Sequence, residues 1–194
     1  LIRSDRSPSL RVHPKFLELF KQTEGRFFSD DELDFILSER PDLSPEVATA
    51  RAVRPLSSGV VKRVVTEIFA QYDYEKLHEL ALAKCPRDVN YVVAYATQAM
   101  LAQDLGWLDD KLLIWLKTIL QAFDFPERTK SAVGALFADK ELEDNLAKLP
   151  KKTRSIYHTY YRLKQEMQRE LSQEQFAPLA PFLQLTLDSL TEAY

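Results

Sequence analysis

The sequence is poor in cysteine and glycine. Of its 194 residues, one is cysteine, Cys85, and four are glycine. A single cysteine excludes an internal disulfide and a zinc site built from several cysteines, and it suits a reducing compartment. So few glycines indicate long helices with few tight turns. The sequence also has no apolar run long enough to span a membrane, and its first residues do not follow the pattern of a signal peptide.

The chain also lacks an excess of charge of either sign. It has 26 basic and 29 acidic residues, interspersed, for a net charge of −3. This balance gives no basic surface for nucleic acid. With 45% hydrophobic and 28% charged residues, the composition is that of a soluble globular protein, and the length allows one domain and a small extension.

Hydrophobic residues recur at helical spacing along nearly the whole chain, and no segment alternates as a strand does. The sequence therefore predicts an all-α protein of roughly eight to ten helices. The predicted helical segments cover residues 9–22, with a restart at Pro14, then a segment from the capping box at Ser29 through Leu37, and then 44–55, 57–72, 73–83, 85–104, 108–123, 127–138, 139–149, 153–171 and 172–190.

Capping residues and prolines set the predicted boundaries. Capping boxes begin at Ser29 and Ser172. We expect Pro55 to break a helix, and Pro178 and Pro181 to interrupt the start of the last one, because proline cannot donate the helical hydrogen bond.

The clearest domain boundary in the sequence lies at Pro150-Lys151-Lys152, directly after Leu149. It predicts a main domain over 1–150 and a C-terminal helical extension over 151–194. Aromatic residues and arginine are enriched in interfaces, so the extension is expected to present a contact surface, although a solvated helix with one apolar stripe is the alternative. The residues of that surface are Tyr157, Tyr160, Tyr161 and Arg162.

The most informative motif is the run Lys84-Cys85-Pro86-Arg87-Asp88, in which Pro86 occupies the first turn of a predicted helix. Its thiol, cations and carboxylate can hold an extended, acidic, nitrogen-rich ligand such as a linear tetrapyrrole. Cys85 would form a thioether, Asp88 would accept hydrogen bonds from pyrrole N–H groups, and Arg87 or Lys84 would pair with propionates. The alternative is an inert, buried thiol. On a helix of about 100° per residue, one arc holds Lys84, Cys85, Arg87, Asp88, Tyr91, Val92 and Tyr95.

Three short blocks carry a family resemblance. They are Glu24-Gly25-Arg26-Phe27-Phe28-Ser29-Asp30-Asp31-Glu32-Leu33; Lys84-Cys85-Pro86-Arg87-Asp88, followed by Tyr91 and Thr97; and Trp107-Leu108-Asp109-Asp110-Lys111-Leu112, continuing through Leu116-Lys117 to Pro126. In this order the blocks resemble the phycobiliproteins, the phycocyanins and allophycocyanins of cyanobacterial phycobilisomes. The resemblance covers roughly residues 14–150.

The resemblance implies a globin-like helical bundle with an N-terminal helical element and a bilin such as phycocyanobilin. Cys85 would be the attachment residue, Asp88 would bridge the inner nitrogens, Arg87 would bind a propionate and Tyr91 would pack against the pigment. It further implies a non-enzymatic role in light harvesting, with other phycobiliproteins, linker proteins or photosynthetic complexes as partners. The expected location is the cytoplasm, at the cytoplasmic face of the thylakoid membrane, without a transmembrane segment.

The sequence also departs from the family. The stretch before Cys85 is shorter, the second of two adjacent tyrosines is Val92, and the two members of a chain-pairing ion pair align with Gln22 and Ala94. These departures favour an alternative: a pigment-free interaction protein acting in the assembly, repair or degradation of phycobilisomes or photosystems. Bilin binding and oligomeric state stay open at this point.

Other residues suggest weaker alternatives. A haem-binding globin-like sensor would use His78 as axial ligand, although a surface histidine is the simpler interpretation. Trp107 and Trp115 are expected in the core, with stacking of Trp107 on a bilin as the functional alternative. Asp109 and Asp110 are expected to cap the following helix.

Overall fold

The computed structural model describes residues 14–74, 79–128 and 139–192. Within these ranges the regular elements are helical, and one isolated β-bridge joins Tyr72 to Arg128. The prediction of an all-α fold is therefore confirmed. The helices are α1 (Pro14–Gln22), α2 (Asp30–Glu39), α3 (Ser44–Gln71), α4 (Glu79–Ala102), α5 (Leu105–Leu108), α6 (Ile114–Gln121), α7 (Lys140–Lys148), α8 (Lys151–Glu170) and α9 (Gln173–Thr191).

Two short turns connect these helices. A 3-10 turn, Pro41–Leu43, leads into α3, and a π-helical turn, Asp109–Leu113, joins α5 to α6. Three of the predicted helices fall partly outside the described residues: 9–13 of the first, 75–78 of the helix over 73–83, and 129–138 of the helix over 127–138.

One hydrophobic core runs through the molecule. α3 and α4 pack against each other, α9 packs against both, and α8 contacts α3 and α9. The predicted division at residue 150 falls between α7 and α8, which both bury side chains in this core, and it stays a prediction. Side chains with no exposed surface include Ile36, Val53, Val64, Val92, Val93, Ala96, Leu108, Met167 and Leu179.

The expectation that proline would break helices is wrong. α3 is 28 residues long and runs through Pro55 without a break, and α9 runs through Pro178 and Pro181. An interior proline costs about 3 kcal/mol, but each buried aliphatic or aromatic side chain contributes about 1.5–3 kcal/mol. Burial on both sides of each proline therefore outweighs the lost hydrogen bond. In α3 these residues include Val47, Val53, Val60 and Val64, and in α9 they include Leu179, Phe182, Leu183 and Leu187.

Burial of the residues that follow a proline also explains why α4 begins earlier than predicted. The sequence predicted a helix that begins at Cys85, but α4 is already helical at Glu79 and passes through Pro86. Downstream, Val89 and Val92 are buried in the core, and α4 packs against α3. Cys85 is therefore an interior residue of a long helix rather than a first-turn residue.

The capping predictions are mostly confirmed. Ser29 and Ser172 both form complete capping boxes, in which each hydroxyl accepts from the backbone N–H three residues later. The expected cap at Asp109 and Asp110 is wrong, because both lie in the π-helical turn. Asp104 caps α5 instead, with Oδ1 accepting from the Gly106 N–H at 2.9 Å.

The C-terminal residues expected to form a contact surface are used inside the molecule. Tyr160 and Tyr161 are buried. Tyr157 accepts a hydrogen bond from the Asn145 amide at 2.8 Å, and Arg162 Nε donates to Glu67 Oε2 at 3.0 Å. The expectation of an exposed contact surface is therefore wrong, because α8 lies between α3, α7 and α9 and each neighbour engages one of its faces.

A buried glutamine fixes the turn after α1. Gln98 Nε2 donates to the carbonyl oxygens of Thr23 at 2.6 Å and Arg26 at 2.9 Å. Between these two carbonyls, Gly25 has a φ of +78°, in the left-handed region that favours glycine. The side chain of one α4 residue therefore ties the N-terminal turn to the central helix.

We expect Gln98→Met to lower the free energy of unfolding by about 1–3 kcal/mol, because the carbonyl groups of Thr23 and Arg26 each lose the glutamine donor while the side-chain volume is kept. Chemical denaturation monitored by circular dichroism measures the change. Gln121→Met, on an exposed position of α6, is the matched control and should be near neutral. Equal stability of the two variants would contradict this role for Gln98.

Candidate functional site

A cavity of about 390 Å³ lies between α4, α6 and α8. This volume is within the range of small-molecule sites, about 300–1,000 Å³. Most of its lining is apolar or aromatic, with a cluster of polar groups on the α4 side. The lining residues are Tyr74, Lys84, Cys85, Arg87, Asp88, Val89, Trp115, Leu116, Ile119, Leu120, Ala122, Phe123, Phe125, Ile156, Thr159 and Tyr160.

α4 brings four of the five predicted site residues to this cavity: Lys84, Cys85, Arg87 and Asp88. They lie on two successive turns of the helix, which the buried Val89 holds against the core. The fifth, Tyr91, is not among the lining residues. The predicted thiol, carboxylate and cations therefore line one largely apolar cavity. Tyr91, the predicted aromatic contact of a ligand, lies outside it.

Tyr91 lies beside the N-terminal turn instead. A Cβ added at Gly25 would stand 3.8 Å from Tyr91 Cε1. The guanidinium carbon of Arg87 also lies 5.6 Å from the centre of the Tyr91 ring, which is cation–π geometry. Tyr91 therefore contacts Arg87 but does not line the cavity.

The Cys85 thiol is half-buried and has no disulfide partner. Burial raises the pKa of this thiol to about 12, and the negative charge of Asp88 adds to the shift. The thiol is therefore protonated at neutral pH, and its reactivity as a nucleophile is low.

Arg87 and Asp88 pair with each other at the cavity wall. Arg87 Nε and Nη2 both donate to Asp88 Oδ1, at 2.9 and 2.7 Å. The Asp88 carboxylate raises the pKa of Arg87 and keeps the guanidinium charged. Half of the Arg87 side chain is exposed, and an ion pair in such a setting contributes little to stability. The guanidinium can therefore be redirected to a ligand carboxylate at small cost.

Aromatic side chains form the opposite wall. Phe125 lies 6.3 Å from Tyr74 and 6.1 Å from Phe123, measured between ring centres. Trp115 also lines the cavity and is 52% exposed, so its expected place in the core is wrong. α6 turns its buried side, with Leu116, toward the core, which leaves Trp115 at the cavity edge.

The other tryptophan has a structural role. Trp107 packs edge-on against Phe20 at 5.6 Å, and the Lys111 ammonium lies 5.2 Å from its ring centre. It does not line the cavity. Trp107 is therefore partly buried and packs against the core rather than lying within it. The tryptophan that lines the cavity is Trp115.

Sequence reasoning missed the third wall. Ile156, Thr159 and Tyr160 of α8 line the cavity, although they lie about 70 residues after the motif in the sequence. Their spacing of three and four residues places them on one helix face, and this was the available signal. Only the packing of α8 in the folded structure shows that this face lines the same cavity as Cys85.

The residue proposed for haem ligation, His78, lies outside the described residues. Of the described residues, His158 is fully buried, with Nδ1 3.3 Å from the Tyr72 hydroxyl and Nε2 3.4 Å from Glu67 Oε1. It is not among the residues that line the cavity. In the described ranges, His, Cys, Asp and Glu do not form a cluster able to hold a metal ion.

Among the helices described here, none combines the length and the hydrophobicity needed to cross a bilayer.

Comparison with known proteins places this geometry in context. A family model described as "Phycobilisome protein" matches residues 21–141. The allophycocyanin beta chain of Cyanophora paradoxa is 30% identical over 128 residues, which cover 63% of this chain and 78% of that protein. The allophycocyanin subunit beta-18 of Nostoc sp. is 26% identical over 113 residues, which cover 53% and 64%. No solved structure matches the chain significantly.

The raised pKa of the half-buried Cys85 thiol gives a direct prediction. Since the pKa of Cys85 is about 12, we expect native protein at pH 8 to react with iodoacetamide on the order of a hundred- to a thousandfold more slowly than a free thiol of pKa about 8.5. The rate should keep rising as the pH approaches the limit of folding.

The measurement is simple because Cys85 is the only cysteine. Intact-mass spectrometry over time follows the modification, and the protein in denaturant is the control that should react quickly. A native rate that levels off near pH 8.5 would show an exposed, ordinary thiol and contradict the burial argument.

Proposed function

Since this chain belongs to the phycobilisome protein family, we propose that it is a bilin-binding protein of the phycobilisome, with the pigment joined to Cys85 by a thioether. The family supports a phycobilisome-related role, and the all-α bundle fits its globin-like fold. The observation that carries the proposal is the cavity, which brings Lys84, Cys85, Arg87 and Asp88 together against an aromatic wall.

The cavity fits a linear tetrapyrrole in its distribution of polarity. Such a pigment has a long conjugated plane, inner N–H groups and two propionates. The plane would lie against Trp115 and Phe123, while the charged groups of α4 meet its polar atoms. When bound, the pigment would supply visible absorption and energy transfer, and it calls for no catalytic activity of the chain.

Cys85 would form the covalent bond. Its S–H adds across a carbon–carbon double bond of the pigment: the sulfur bonds to one carbon, the proton ends on the other, and neither an oxidant nor a reductant is needed. Because the thiol is held in its protonated form, spontaneous addition should be slow. We therefore expect attachment to depend on a lyase.

Asp88 and Arg87 would hold the polar groups. The Asp88 carboxylate can accept hydrogen bonds from the inner N–H groups, and its charge favours the protonated pigment. Arg87 can exchange Asp88 for a propionate, in the bidentate geometry that guanidinium and carboxylate groups form. Lys84, exposed at the rim, is the second cation within reach of a propionate.

The partners and location follow from the same proposal. We infer that the chain assembles with other phycobiliproteins or linker proteins, on the cytoplasmic side of the thylakoid membrane. The replacement of the family's chain-pairing ion pair by Gln22 and the buried Ala94 indicates that this assembly differs from ordinary subunit pairing.

One observation favours the second candidate, a pigment-free interaction protein. α6 exposes a row of large apolar side chains next to the cavity: Ile114, Trp115, Ile119 and, just after the helix, Phe123. Exposed apolar surface of this kind is typical of protein contacts. In a pigment-free protein, the cavity and this row would form one apolar docking surface.

Co-production with a bilin and a lyase separates the two candidates. We expect a coloured protein whose zinc-enhanced fluorescence stays with the chain on a denaturing gel and is lost in Cys85→Ala. A colourless wild-type chain, produced beside an allophycocyanin that acquires its pigment under the same conditions, would support the interaction protein instead.

The role of Asp88 can be tested in the pigmented protein. We expect Asp88→Ala to retain the pigment on Cys85 but to shift the absorption to the blue and broaden it, because the inner N–H groups lose their acceptor. Absorption spectroscopy measures the effect, and Asp110→Ala, on an exposed residue of the π-helical turn, is the control. An unchanged Asp88→Ala spectrum would falsify this role.

A further inference from the structure

Another cavity lies between α3 and α4, as a groove of about 470 Å³. This volume is within the range of small-molecule sites. Arg87 lines both this groove and the cavity beside Cys85, but the two spaces otherwise have different lining residues. The remaining residues of the groove are Ser58, Val61, Lys62, Val65, Thr66, Phe69, Pro86 and Asn90.

The groove combines an apolar floor with a polar edge. Val61 and Val65 of α3 are buried and form the floor. Ser58, Lys62 and Thr66 are exposed and follow one another at intervals of four residues, which places them along one side of α3. A molecule that is apolar in one part and polar in another therefore fits this groove best.

The charge of the groove is positive. Its charged side chains are Lys62 and Arg87, and no described aspartate or glutamate lines it. The three arginines of α3 form ion pairs with carboxylates, whereas Lys62 forms none with a described residue. Because Arg87 is already paired with Asp88, the charge left without a partner is the single positive charge of Lys62. The groove therefore matches a monoanion.

Two further donors are available to such an anion. Arg87 uses Nε and Nη2 for Asp88, and its Nη1 forms no hydrogen bond within the described residues. The amide of Asn90 is held by Ser57, whose Oγ donates to Asn90 Oδ1 at 2.6 Å. Within the described part of the chain, this arrangement leaves the N–H groups of Asn90 without an acceptor. Both side chains can therefore donate to an anion while keeping the bonds they already form.

We propose that the groove between α3 and α4 binds a monocarboxylate with an apolar body, such as a fatty acid. Lys62 pairs with the carboxylate, Arg87 and Asn90 donate hydrogen bonds to it, and the apolar body lies on Val61 and Val65. A carboxylate carries the one negative charge that the groove lacks, and its planar oxygens suit a guanidinium donor. The site goes beyond the proposed pigment site, and its tests need no pigment, so their failure would leave the proposed function standing.

The first test is isothermal titration calorimetry of the pigment-free protein with decanoate. We expect saturable binding of one decanoate per chain, with a Kd that rises with salt because the ion pair is partly exposed. Acetate keeps only the charged end of this ligand and decanol only the apolar end, so both should bind more weakly. Decanoate that does not bind saturably, or that binds no more tightly than acetate or decanol, would overturn the proposal.

Matched lysine variants locate the binding site. Lys62→Gln should raise the Kd of decanoate by about 2- to 5-fold, the effect of an exposed ion pair, and Lys62→Glu should raise it further. Lys148→Gln, which removes the charge of an exposed lysine of α7, should leave the Kd unchanged. Lys84 lines only the cavity beside Cys85. A Kd that rises in Lys84→Gln and not in Lys62→Gln would place decanoate in that other cavity and overturn the proposal.

The two asparagines of the chain, Asn90 and Asn145, report on the groove directly. The amide of Asn145 donates to the Tyr157 hydroxyl at 2.8 Å, away from the groove. In protein with isotopically labelled asparagine, we expect decanoate to shift the side-chain N–H signals of Asn90 in the NMR spectrum and to leave those of Asn145 in place. Signals of Asn90 that stay unmoved while calorimetry shows saturation would overturn the proposal.

Discussion

The unbroken course of α4 through Pro86 is the constraint on which the site depends. Val92 and Val93, both fully buried, fix which side of this helix faces the core, and the helix packs against α3. That orientation determines that Cys85 and Asp88, one turn apart, face the same space. A break at Pro86 would release the thiol from this orientation. The energy that holds the site therefore comes from the valine-rich packing of α3 on α4, and not from the polar groups of the site itself.

The parts of the structure that depend on local sequence were predictable. The capping boxes at Ser29 and Ser172 and the grouping of Cys85 with Asp88 each involve residues within one helical turn. The predicted helix breaks at proline were wrong because the effect of a proline depends on how much side-chain surface the flanking turns bury. That burial is a property of the tertiary structure. Trp115 and Tyr160 could not be placed for the same reason: only the packing of α6 and α8 across α4 brings them to the cavity.

The cavity combines features that suit a covalently held pigment better than a reactive site. Its thiol is kept protonated by burial and by Asp88, and its charged groups stand at the rim while the wall opposite is aromatic. Such a site binds and orients a ligand but does not activate Cys85 for turnover. The exposed apolar row on α6 borders the same space, so a partner docked there would also shield the open side of a bound pigment.

The most direct measurement is mass spectrometry of the protein after co-production with a bilin and a lyase. Trypsin cleaves after Lys84 and Arg87, so the attachment residue is isolated in the short peptide Cys85–Arg87. The account predicts that this peptide carries the full mass of one bilin, with no atoms lost in the addition. An intact mass equal to that of the bare polypeptide, beside an allophycocyanin that is fully pigmented under the same conditions, would contradict it.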